Sequence, residues 1–119
     1  MQQVFKSLTD KQVEFTRTMA YFQVWCVEQD FKIIEAESFR TPEQAALYAK
    51  QGKGIINSTH RHKLARDLFR KKGGTITWDK EDYREMGEKW KSMHPLARWG
   101  GDFKRRDAVH FSFEHRGVK

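Results

Sequence analysis

The chain has 119 residues, a single cysteine and a formal charge of +7, from 23 Lys and Arg against 16 Asp and Glu. That length suits one domain over 1–119 and leaves no room for a second. One cysteine excludes an internal disulfide and a Cys-built zinc site, and no apolar run approaches the ~20 residues that cross a bilayer.

Four Trp, nine Phe and three Tyr make a packed core feasible, since disordered chains are poor in these residues. The basic balance favours a polyanionic partner such as nucleic acid, anionic lipid or cell wall, without choosing among them. Residues Met1 to Ser7 show no basic region followed by an apolar core. No secretory signal is therefore read, and the protein is expected to stay in the cytoplasm unless something releases it.

The first predicted element is a helix from about Thr9 to Gln29, capped by Thr9 or Asp10. Phe15, Met19, Phe22 and Cys26 form its core stripe, with Val13 and Trp25 flanking. Cys26 reads as a small buried hydrophobe. Phe31 to Glu37 reads as a short strand. Thr41, Pro42 and Gln44 make a strong start for a second helix, which ends near Gly52. Arg40 lies at that strand–helix junction, where side chains often face a cleft. A loop over 52–59 follows, then a strand from Lys63 to Phe69. A turn over 71–74 leads to a returning strand over 75–77. Asp79 caps a third helix, Lys80 to Met93, with Tyr83, Met86, Trp90 and Met93 on its apolar face. Ala97 to Arg106 reads as a loop and Ala108 to Glu114 as a final strand. The whole is α+β: a small, mostly antiparallel sheet packed by about three helices.

Five histidines are present: His60, His62, His94, His110 and His115. Asp67 shares a strand face with Ala65 and Phe69. If that face is inward, the carboxylate needs an Arg, a set of donors or a metal. His60, on the loop before this strand, can fold back towards the same point. On the final strand Ala108, His110 and Ser112 share one face, and these small neighbours leave space beside the imidazole. A buried His is more often a hydrogen-bonded structural residue than a ligand. His60, Asp67 and His110 together, with one position open, nevertheless suit catalytic zinc. Asp107 would sit at the strand entrance, where a carboxylate can take a proton from water. His62 competes with His60 for the ligand role. His94 reads as a cationic helix cap and His115 as exposed.

The segment Ser58-Thr59-His60-Arg61-His62-Lys63-Leu64-Ala65-Arg66-Asp67 resembles the Ser-x-His-x-x-Gly-x-Ala-x-Asp motif of hedgehog-like zinc peptidases. That group includes the D-alanyl-D-alanine carboxypeptidases of VanY type and the L-alanyl-D-glutamate endopeptidases of phage endolysins. Asp107-Ala108-Val109-His110 resembles their second motif. Ser38-Phe39-Arg40-Thr41-Pro42-Glu43-Gln44 resembles their Ser-x-x-Arg-Thr-Pro-x-x-Gln segment. Trp99-Gly100-Gly101-Asp102-Phe103 is similar to a block found upstream of the second motif in the endolysins. The resemblance covers Ser38 to Phe113, in order. It implies zinc as cofactor, held by His60, Asp67 and His110. It implies Asp107 as general base and then acid, and Arg40 as the stabiliser of substrate or oxyanion. Ser58 and Trp99, within the matching segments, are candidate substrate-binding residues. Asp at 107, in place of the Glu usual in dipeptidases, is more typical of endopeptidases. Two departures stand out: Lys63 replaces the motif's Gly, and Ser112 stands where many relatives have an acid or amide.

The implied activity is a monomeric zinc peptidase cutting an amide bond in the stem peptide of bacterial peptidoglycan, with D,D-carboxypeptidase the alternative. It would remain in the host cytoplasm until released to the wall, as in phage lysis. Its charge would favour contact with anionic wall or membrane, without a specific nucleic-acid partner. Two rivals remain from the residues: a metal-dependent nuclease using Lys104-Arg105-Arg106 on phosphates, and a non-catalytic basic binding module.

Overall fold

The computed structural model describes residues 7–36 and 62–119. Arg40, the helix expected over 41–52, Ser58 and His60 lie outside the described residues. Helix α1 spans Leu8–Glu28. It begins earlier than the sequence suggests because the cap is Ser7, whose Oγ accepts from the Asp10 amide at 3.1 Å. Asp10 thus falls in the first turn, where its charge suits the helix dipole.

Strands β1 (Lys32–Glu35), β2 (Ala65–Lys72) and β3 (Thr75–Ile76) follow, then α2 (Lys80–Met93), β4 (Ala97–Trp99) and β5 (His110–Phe113). The segment expected to be a loop from Ala97 thus opens with a strand and a short 3-10 turn over Gly100–Asp102. Three residues are too few for a period-2 pattern to declare itself. Asp79 caps α2 as expected, accepting from the Glu81 amide at 3.0 Å. The sheet is wholly antiparallel, in the order β1-β2-β5-β4, with β3 paired to β2. Among the described residues the architecture is therefore α+β with two helices.

The core joins α1, α2 and one face of the sheet. Phe22 of α1 meets Phe111 of β5 at 5.1 Å and Trp90 of α2 at 5.2 Å between ring centroids. Phe15 meets Phe113 edge-on at 5.2 Å. The Trp90 indole N–H is satisfied by the carbonyls of Arg98 and Ser112, at 3.0 and 3.2 Å. Cys26 is fully buried, and burial pushes its thiol up to about 12, so it is an inert core residue. Among the described residues no helix is long and apolar enough to cross a membrane.

Candidate metal centre

Antiparallel pairing of β2 with β5 sets Asp67 directly opposite His110, and Ala65 opposite Ser112. Because strand side chains alternate, this pair projects from the face opposite Leu68, Phe111 and Phe113, which line the core. The Asp67 and His110 side chains are only 13% and 7% exposed. Asp67 Oδ1 lies 3.7 Å from His110 Nδ1. That is long for a hydrogen bond and close to the roughly 3.4 Å between two ligands bonded tetrahedrally to one zinc at 2.0–2.2 Å.

Asp107 completes the group. Ligand atoms of Asp67, Asp107 and His110 all lie within 4.8 Å of one another. The Asp67 carboxylate and the His110 imidazole are donors that fit a divalent cation such as zinc, and the Asp107 carboxylate stands beside them. Burial alone would pull the His110 imidazole down, but the facing Asp67 carboxylate, the bond to the Lys119 main-chain oxygen and the charge of Asp107 outweigh it and hold the pKa above the usual value. Its Nε2 lies 2.8 Å from the Lys119 main-chain oxygen.

Asp107 is placed by its backbone. Its amide donates to the Gly100 carbonyl at 2.9 Å, and its own carbonyl accepts from the His110 amide at 3.0 Å. This requires glycine at 100, where a Cβ would come within 2.0 Å of the Asp107 carbonyl oxygen. Trp99, a candidate substrate-binding residue, is 1% exposed. Its ring packs where a Cβ on Gly87 or Gly101 would stand, at 2.1 and 2.3 Å. Its indole N–H donates to the Ala108 carbonyl at 2.8 Å. Trp99 thus lies beneath the loop bearing Asp107 and braces it. The Trp-Gly-Gly tripeptide is the one signal of this in the sequence, whereas Gly87 in mid-helix offers none.

His62 is not brought to the cluster. Its ring sits 5.0 Å from that of His115, and its carbonyl accepts from Gln12 at 2.8 Å. His115, expected to be exposed, is 9% exposed, with Nδ1 3.0 Å from Lys11 Nζ. His94 is not a cationic cap. Its Nδ1 accepts from the Leu96 amide at 3.1 Å, its ring stacks on Phe113 at 4.3 Å, and burial lowers its pKa. An apolar, acceptor role favours the neutral ring. Lys63 has φ +56. The position at which the resembled motif carries Gly therefore keeps a left-handed backbone here, with Lys accepting the strain. Lys104, Arg105 and Arg106 are exposed on the loop leading to Asp107.

No family model matches the sequence, and no curated protein does either. The fold has a known counterpart. The crystal structure of Serratia marcescens L-Ala D-Glu endopeptidase ChiX matches with a TM-score of 0.71 at 17% identity, covering 87% of this chain and 80% of that one. The similarity shows that the two chains share one α+β, antiparallel-sheet fold.

Proposed function

We propose that this protein is a zinc-dependent peptidase of bacterial peptidoglycan that hydrolyses the L-alanyl-D-glutamate bond of the stem peptide. The observation that carries the reading is the convergence of Asp67, Asp107 and His110 within 4.8 Å. The fold shared with the Serratia endopeptidase supports it.

In this reading Asp67 and His110 would hold the ion, with His60 as third ligand. A bound zinc supplies Lewis-acid polarisation of the scissile carbonyl and a water nucleophile usable near neutral pH. Asp107 takes the proton of the attacking water and returns it to the leaving amine. Arg40 stabilises the oxyanion, and Ser58 contacts substrate. The exposed basic loop over 104–106 attracts anionic wall polymer. Release into the wall by a membrane-permeabilising partner, as for a phage endolysin, is the biological setting we infer.

The test is mass spectrometry of products from defined muropeptides. Cleavage after L-alanine supports the proposal. Release of terminal D-alanine would make the enzyme a D,D-carboxypeptidase. Intact muropeptides with a nicked plasmid would favour the nuclease instead.

A further inference from the structure

The chain beyond β5 folds back onto it. His115 and Val118 exchange both main-chain hydrogen bonds, at 2.8 and 2.9 Å. The two residues between them, Arg116 and Gly117, have φ of +49 and +79, the signature of a tight primed hairpin turn. The turn delivers the Lys119 main-chain oxygen to the polar face of β5. There it lies 2.8 Å from His110 Nε2 and also accepts from the Ser112 hydroxyl.

A main-chain oxygen has no hydrogen to give, so Nε2 must be the donor. In a neutral imidazole the lone pair then sits on Nδ1, the atom 3.7 Å from Asp67 Oδ1. We propose that the 115–119 hairpin is a positioning element of the metal centre: the Lys119 main-chain oxygen, steadied by Ser112, fixes the tautomer and rotation of His110 so that Nδ1 faces Asp67 and is the nitrogen that would meet a bound ion. This rests on the metal reading above. Partners of this kind orient ligands elsewhere, and their loss commonly weakens metal binding about 10–100-fold. It also gives Ser112 a use that its small size and full burial do not explain by packing alone.

The experiment uses the full chain, labelled with 15N at histidine. Imidazole signals are recorded at neutral pH with and without zinc, and zinc affinity is measured by competition with a chelator. The expected wild-type result is a protonated Nε2 and a zinc-induced shift at Nδ1. In Ser112→Ala and in Gly117→Val, which strains the turn, affinity should fall about 10–100-fold, and His110 should show mixed tautomers. Far-ultraviolet circular dichroism should be unchanged. If Gly117→Val does not fold, Ser112→Ala alone decides. A shift at Nε2, or folded variants that bind zinc as tightly as wild type, would overturn the hairpin's role while leaving the metal site standing. A wild-type chain that binds no zinc would overturn the metal reading and this proposal with it.

Discussion

On one face of β5, Phe111 and Phe113 meet the aromatic rings of α1 and α2. On the other, His110 and Ser112 meet Asp67, Asp107 and the Lys119 main-chain oxygen. All four residues of this strand are buried, yet for different physical reasons. The aromatic face stabilises by removing apolar surface from water. The polar face gains little from burial and must satisfy every group it hides. Stability and chemistry are therefore separated by one pleat of a single strand, and substitutions on the two faces should fail in different ways.

The largest effect should come from the aromatic face. Phe111→Ala should cost about 3–5 kcal/mol, visible as a large fall in Tm, with activity lost only because the fold is. Asp107→Ala, on the polar side, should leave Tm nearly unchanged and retain zinc. Its turnover on purified peptidoglycan should fall about 10²–10⁴-fold. Normal digestion by that variant would remove Asp107 from its role. Gly100→Ala should cross the boundary between the two behaviours. Its Cβ would meet the Asp107 carbonyl oxygen at 2.0 Å, so about 1–3 kcal/mol of overpacking strain should accompany a loss of turnover.

Smaller effects sharpen the contrast. His94 stacks on the aromatic face and its folded pKa is depressed by burial. The unfolded chain then binds its proton more readily, so its contribution is complete above pH ~6.5 and declines as pH falls towards the folded value. Thermal unfolding between pH 7.5 and 5 should show that decline, and His94→Leu should flatten part of it. Smallest of all, Lys63→Gly should relieve the left-handed backbone. It should raise stability by about 0.5–1 kcal/mol net, read as a slightly higher Tm.

The aromatic face is legible in the sequence. Helical spacing of Phe15, Met19, Phe22 and Cys26 and alternation of Phe111 with Phe113 depend only on repeat periods, and α2 matches its expected bounds. The polar face is legible in part. His110 can be named from its small neighbours and Asp67 as a carboxylate sharing a strand face with Ala65 and Phe69, but their direct opposition depends on strand register. The support is not legible: Trp99 turned inward, Gly87 cleared for its ring, and a main-chain oxygen at Lys119 acting on His110. Main-chain groups are present at every residue, so no residue type announces them. His94 and His115 differ from expectation for a related reason, since their stacking partners are distant in sequence.

The most direct measurement is the release of amino groups from purified peptidoglycan by the wild-type protein, before chelation, after it, and after zinc is restored. Activity should disappear with the metal and return with it. Undiminished release in excess chelator would contradict zinc dependence.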